Sequence, residues 1–284
     1  MRDLAAQRRF YAEEIEAVAN LSTPGLVDAL ATVPRERFLG KGPWLVRAES
    51  DLTGVPRQTP DDDPGRVYHN WSVAIDPSRQ LFNGAPGVIA SSIDRLQLRP
   101  GGRVLHVGTG TGYYTAVLTR VVGPSGRVLG IEVDESLASV AATNLIDSPW
   151  AEIRSGDGRG PFDERFEGIL VNAGVTHPEL SWLDALTTGG RMILPLTATM
   201  PGMGAIGKGL QLLLHKRSDV DFDATTLTFV LIYSALGVRD AEIERRLGET
   251  LRRSPLPRFT RLRRDPHNRS DTCWLHEVGW CLGT

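Results

Sequence analysis

The sequence predicts an α/β fold, a doubly wound and mostly parallel sheet with N-terminal helices and a C-terminal α+β extension, and three observations carry that expectation. Apolar runs of strand length alternate with helix-periodic segments from residue 103 to residue 196, the pattern of βα units whose strands are covered on both faces. A glycine-rich turn, Gly108-Thr109-Gly110-Thr111-Gly112, stands directly between one such run and a helix. Glu132 closes the next apolar run about twenty residues further on, the spacing at which an acid can meet a ribose.

Taken in order, Leu4, Tyr11, Ile15 and Val18 fall near one face of a first helix, and Ser22-Thr23-Pro24 restarts a second. Residues 40–65 are rich in Pro, Gly and Asp and read as irregular loop. A short strand over 67–75, a turn-rich stretch over 76–87 and a helix over 88–98 follow. The regular part then predicts strands at 104–107, 128–133, 152–154, 168–171 and 192–196, with helices at 113–122, 135–144 and 179–186. Beyond a Gly-rich loop at 201–209, residues 210–215 and 227–233 read as closing strands. Residues 241–252 read as a helix with Ile243, Leu247 and Leu251 on one face. The expected division is N-terminal helices and loop over 1–66, a Rossmann-like core over 67–217, and an extension packed on that core over 218–284.

Composition narrows the function classes. With 284 residues, 41% hydrophobic, 23% charged and a formal net charge of -2, the chain can bury a real core and is neither disordered nor a globally basic nucleic-acid binder. The N-terminus lacks the long apolar run of a secretion signal or membrane span, so a cytoplasmic location is expected. Cys273 and Cys281 are too few for a disulfide framework and read as structural packing. The ending around Cys273-Trp274-Leu275-His276 and Trp280-Cys281 reads as a closing strand or hairpin, its spacing being wrong for a metal, so no metal is expected. The arginines of 258–264 could grip carboxylates or phosphates, but a solvated or internally paired face is the more economical reading.

The chemistry-bearing residues point to an adenosine-containing cofactor. Glycines let the backbone approach a ligand where a Cβ would fill the space. Tyr113 stands where a dinucleotide fingerprint wants a third glycine, which weakens a nicotinamide reading. Glu132 can accept from both ribose hydroxyls, and Asp157, in Ser155-Gly156-Asp157-Gly158, can accept from an adenine amino group. The small loop Asn172-Ala173-Gly174 after the fourth strand would face the reacting end of the cofactor.

The runs Val33-Pro34-Arg35-Glu36-Arg37-Phe38, Val104 through Tyr113, Gly156-Asp157-Gly158 and Gly189-Gly190-Arg191-Met192-Ile193-Leu194-Pro195, in that order, resemble protein-L-isoaspartate O-methyltransferases over roughly residues 1–217. The resemblance implies transfer of a methyl group from S-adenosyl-L-methionine to a carboxylate of a protein or peptide, with S-adenosyl-L-homocysteine as product. It implies that Gly108, Thr109, Gly110 and Gly112, flanked by Val107 and Tyr113, hold the methionine and ribose portion, Glu132 the ribose, and Asp157 with Gly158 the adenine. Two departures stand out. His106 occupies a position where the family carries an acid. The loop Gln80-Leu81-Phe82-Asn83-Gly84-Ala85-Pro86 replaces a hydroxyl-bearing one, with Phe82 and Gly84 at the two hydroxyl positions and Asn83 supplying an amide that can donate to a carboxylate.

Asn83 and Asn172 are therefore the candidate catalytic residues. An ionised carboxylate is already a nucleophile at neutral pH and needs no general base; a phenol or alcohol acceptor would call on His177 or His69. Two other readings stay open: a methyltransferase for a small-molecule acceptor on the same scaffold, and a non-catalytic cofactor-binding module using the Arg-rich tail for a partner such as RNA. The near-neutral charge speaks against broad nucleic-acid affinity.

Overall fold

Asp3 caps α1 (Leu4–Ala19) by accepting hydrogen bonds from the amides of Ala5 and Ala6; Asn20 ends that helix in the left-handed conformation. The computed structural model describes residues 3–48, 55–199, 202, 205–254 and 258–284. Tyr11, Ala12 and Ile15 of α1 are fully buried, whereas Val18 is 60% exposed, so the packed stripe is narrower than the sequence suggested. α2 (Leu26–Thr32) follows.

The stretch read as irregular loop contains structure. β1 (Leu45–Ala48), β2 (Arg57–Gln58), β3 (Trp71–Asp76) and β4 (Leu81–Phe82) form an antiparallel sheet in the order β2-β1-β3-β4. Residues 49–54 of that stretch lie outside the described residues, as do 200, 201, 203 and 204 near the expected loop at 201–209. Polar side chains at 57 and 58 and the short length of these strands hide them from a periodicity argument.

α3 (Pro86–Arg95) carries Pro86 in its first turn, where a missing N–H costs nothing. The alternation then runs β5 (Arg103–Val107), α4 (Tyr113–Val122), β6 (Arg127–Glu132), α5 (Glu135–Asn144), β7 (Ala151–Ser155), β8 (Phe166–Val171), α6 (Leu180–Ala185) and β9 (Leu186–Thr199). The extension adds β10 (Ile206–Lys216), β11 (Asp221–Tyr233), α7 (Ala241–Arg253), β12 (Arg261–Arg263), β13 (Cys273–Glu277) and β14 (Trp280–Gly283). No helix among the described residues is long and apolar enough to cross a membrane.

Two compact units emerge: Met1–Arg103 with Thr109–Gly156, and Val104–Gly108 with Asp157–Thr284. Within the first, β6 and β7 pair in parallel, with Val128 opposite Ala151. Within the second, β5, β8 and β9 are parallel neighbours, as the βα alternation predicts. The remaining strands run antiparallel in the order β9-β10-β11-β12-β14-β13.

The run Val33 to Phe38 acquires a physical meaning in the first unit. Arg35 is completely buried, and its guanidinium donates to the backbone carbonyls of Val67, His69 and Trp71 at 2.5, 3.0 and 2.7 Å. It also lies over the rings of Tyr11 and Tyr113, at 5.9 and 5.8 Å from their centroids. One side chain thereby ties α1, the segment before β3 and the start of α4 together. Beside it, Glu36 is bonded by Arg8 and by the Tyr68 hydroxyl.

Candidate functional site

In the first unit the glycine turn and the acid are joined directly. Glu132 ends β6, is 7% exposed, and accepts from the Gly110 amide at 2.7 Å through one carboxylate oxygen and from the Asp134 amide at 3.1 Å through the other. Each oxygen keeps a second lone pair for a ligand hydroxyl, and the orientation is set by backbone rather than by mobile side chains. Thr109 donates its amide to Ile131, one residue before that acid, at 3.3 Å. Gly110 has φ +55°, and a Cβ there would lie 3.0 Å from Ile75 at the end of β3. Gly112 precedes α4 and gives that helix no side-chain cap. Tyr113 is 2% exposed, packs edge-on against Phe38 and Tyr114, and has its hydroxyl 3.2 Å from that of Tyr11. Its side chain belongs to the core, and only its backbone is left for a ligand.

The Gln80 to Pro86 loop is held in the same unit. The Tyr114 hydroxyl donates to the Gly84 carbonyl at 3.0 Å, and Arg79 bridges to Asp134 at 2.5 Å, two residues past Glu132. Asn83 pairs with Val73 twice, its amide donating to the Val73 carbonyl and its side-chain oxygen accepting from the Val73 amide, both at 3.0 Å. That fixes the side chain with its Nδ2 pointing away, and Nδ2 is buried with no hydrogen-bond partner among the described residues. An unpaired buried donor costs on the order of 1–3 kcal/mol, a cost removed when an acceptor arrives. The neighbouring Phe82 is covered by the guanidinium of Arg47, 4.5 Å from the ring centroid, whose Nε is likewise buried without a partner. Arg47 had no signal in the pattern of residues, because it sits in β1 inside a stretch read as loop.

In the second unit, Val107 ends β5 and accepts from the Asn172 amide at 2.8 Å; a Cβ on Gly108 would lie 3.3 Å from the Asn172 carbonyl oxygen. Asn172 is half-buried. Gly158 has φ +79° and comes so close to Val107 that a Cβ would stand 2.8 Å from its Cγ1, while its carbonyl accepts from the buried Trp182 indole at 2.7 Å. Asp157 is bridged by Arg159 at 2.5 Å, and that guanidinium holds its carboxyl below the usual range. The sequence had placed Asp157 as an acceptor without seeing this pairing.

The loop after β8 is gripped from the extension. Gly174 donates to the Tyr233 carbonyl at 2.7 Å, and its own carbonyl accepts from the Ala235 amide at 2.9 Å and from Arg239 at 2.7 Å. Arg239 further bonds Thr197 and pairs with Glu244 at 3.0 Å. Sequence reasoning missed Arg239, because nothing in its local run distinguishes it from an exposed arginine.

The histidines fall on the structural side. His177 accepts at Nδ1 from Thr176, 2.8 Å away, whose oxygen in turn accepts from the Asp240 amide, and its Nε2 meets Glu179 at 3.3 Å. Both ring nitrogens are thus engaged within the protein. His69 stacks on Trp71 with ring centroids 4.6 Å apart, and burial pulls its pKa down. His106 is fully buried in β5, where burial draws its pKa down to about 3. The unfolded chain takes up this proton near pH 6.5 and the folded one near pH 3. The stability tied to His106 is complete above about pH 6.5 and is lost as the pH falls through that window. Between pH 7 and pH 5 the native protein is expected to lose about 2 kcal/mol that His106→Leu does not lose, read from denaturant unfolding at the two pH values. Parallel pH curves for the two proteins would contradict it.

Three arginines of the 258–264 run are internally paired: Arg261 with Asp221 at 2.7 Å, Arg263 with Asp265 at 3.7 Å and Arg264 with Asp184 at 2.7 Å. Cys273 and Cys281 are buried and free. Their linear spacing spoke against a metal, yet folding brings them together with His267 and His276, with all four ligand atoms within 4.8 Å of one another.

A parallel βα core with a glycine turn after β5 and a backbone-held acid at the end of β6 defines the class of S-adenosyl-L-methionine-dependent methyltransferases. A family model, Protein-L-isoaspartate(D-aspartate) O-methyltransferase (PCMT), matches residues 13–209, and the chain belongs to that family. Among curated relatives, the protein-L-isoaspartate O-methyltransferase 1 of Rhodopseudomonas palustris strain HaA2 is 33% identical over 199 residues, covering 68% of this chain and 71% of that protein. The protein-L-isoaspartate O-methyltransferase of Methanothrix thermoacetophila is 28% identical over 232 residues, 80% of this chain and 96% of that protein. Among solved structures, a protein-L-isoaspartate O-methyltransferase superposes with a TM-score of 0.60 at 23% identity, over 92% of this chain and 72% of that one. The putative enzyme of Plasmodium falciparum, in complex with S-adenosyl-L-homocysteine, gives 0.60 at 17% identity, over 80% of this chain and 97% of that one. These two likenesses establish the fold. The protein is an S-adenosyl-L-methionine-dependent O-methyltransferase of a family whose acceptors are proteins.

Proposed function

We propose that the protein methylates a carboxylate of an isoaspartyl-type protein or peptide, and that Asn83 takes over acceptor positioning from the hydroxyls its family carries in the same loop. The observation that carries this reading is the buried Asn83 Nδ2, fixed by the Val73 pairing and without a partner among the described residues. A carboxylate oxygen is the acceptor such a donor suits, and Arg47 over Phe82 adds a cation one residue away.

On this reading residues 67–217 form the cofactor-binding core, 1–66 precede it and 218–284 extend it. Val107, Gly108, Thr109, Gly110, Gly112 and the Tyr113 backbone would hold the methionine and ribose portion, Glu132 the ribose hydroxyls, and Asp157 with Gly158 the adenine. When bound, S-adenosyl-L-methionine supplies an electrophilic methyl group on a sulfonium. The chain's own work is positional: Asn83 aims an oxygen that is ionised without any base, Asn172 lines the reacting end, and the fixed loops keep water from competing. Two free buried thiols suit a reducing cytoplasm.

Asn83→Asp, which replaces the donor by a repelling oxygen at constant shape, is expected to lower kcat/KM on an isoaspartyl peptide about 100-fold, mainly through KM. S-adenosyl-L-methionine affinity, measured calorimetrically, is expected to stay unchanged. Undiminished kcat/KM in the variant removes Asn83 from the acceptor site. Turnover of small acids with none on the peptide would replace the peptide reading by a small-molecule acceptor.

A further inference from the structure

The last strands gather a set of side chains that methyl transfer does not use. His276 and Cys281 are a cross-strand pair in the register of β13 and β14. Cys273 opens β13, just before a register shift that ends at Leu275. His267 comes from the loop after β12, its Nε2 3.7 Å from the Cys273 sulfur. The four ligand atoms lie within 4.8 Å of one another. Two thiols and two imidazoles are the donor set of a tetrahedral zinc centre, in which a sulfur-to-nitrogen edge measures about 3.6 Å given the usual bond lengths.

Two further observations point to a ligand. His276 Nδ1 is buried with no hydrogen-bond partner among the described residues. A buried ring nitrogen left this way is costly unless something coordinates it. His267 Nδ1 lies 2.8 Å from the Asp265 carbonyl, which can only accept, so the proton sits on Nδ1 and Nε2 turns its lone pair to the cluster. A backbone carbonyl behind a histidine is how metal sites fix the ligating tautomer.

We propose that His267, Cys273, His276 and Cys281 bind one zinc ion in a closed, structural site that fastens the end of the chain. Four protein ligands leave no open position for water or substrate, and two thiolates neutralise the dication. The gain is local: residues 264–272 contain no helix or strand, and β13 and β14 have only five and four residues. A metal joining the loop to both strands supplies a cross-link that so small a hairpin cannot obtain from packing alone. The linear order His-x5-Cys-x2-His-x4-Cys conceals the site because its ligands meet through strand pairing.

The test uses the full chain purified without chelator and does not depend on methyl transfer. Elemental analysis is expected to find one zinc per chain. Cobalt added to reduced, metal-free protein is expected to give the intense visible bands and sulfur charge transfer of a tetrahedral thiolate complex, reversed by zinc. Cys281→Ser and His276→Gln should each lose the zinc while retaining S-adenosyl-L-methionine binding as a check on folding. If the serine variant does not fold, the cobalt spectrum of the unaltered chain and the glutamine variant decide. Protein that holds no zinc and gives no cobalt bands overturns the proposal, as does a Cys273–Cys281 disulfide in protein prepared under reducing conditions.

Discussion

Gly110→Val is expected to abolish S-adenosyl-L-methionine binding, raising Kd at least about 100-fold, equivalent to about 3 kcal/mol, in a protein that still folds. Three consequences of one substitution combine. The residue sits at φ +55°, where an L side chain costs on the order of 1–2 kcal/mol and a β-branched one more. Its Cβ would meet Ile75 at 3.0 Å, so the turn or the end of β3 must shift. The Gly110 amide is also the donor that orients Glu132, and a displaced turn releases that carboxylate. Calorimetric titration reads the affinity, and circular dichroism checks the fold. Unchanged affinity would remove the cofactor from this turn altogether.

Arg35→Ala is expected to destabilise the protein by about 3–5 kcal/mol, although Arg35 itself is assigned to neither cofactor nor acceptor. Three carbonyls lose their donor, that of Val67 inside the core, and the rings of Tyr11 and Tyr113 lose the cation between them. Arg35→Lys is expected to recover little, because one ammonium cannot reach three carbonyls that a planar fork serves together. Denaturant unfolding measures both variants. A loss below about 1 kcal/mol in the alanine variant would mean that water replaces the guanidinium at all three carbonyls, the buried one of Val67 included.

The parallel core was legible because several signals coincide there. α4 and α5 run over the residues expected of them, since Gly112 and Gly123 bracket the first and Asp134 caps the second. The acid at the end of β6 was legible for the same reason, being fixed by register from the glycine turn. Other features follow rules that no short window contains. β9, β10 and β11 extend to 14, 11 and 13 residues, far past the apolar segments that announced them, because antiparallel partners carry polar residues such as Thr199, Lys208 and Thr226 along the ladder. The roles of Arg47 and Arg239 depend on what lies opposite them, a ring in one case and a carbonyl in the other. Tyr113 shows the same limit: its position in the motif says nothing of its side chain, which packs against Phe38 and meets the Tyr11 hydroxyl.

β10 is paired along nearly its whole length on both sides, by β9 and by β11. A chain shortened to residue 217, where the family likeness of the sequence fades, would leave the outer row of amides and carbonyls of this eleven-residue strand bare. Such a row is an invitation to self-association, and nothing along Leu210, Leu212 and Leu214 would repel an incoming strand. The segment that looks dispensable from the motifs therefore acts as the sheet's guard, and the smallest well-behaved form of this enzyme is longer than the part that recognises its cofactor.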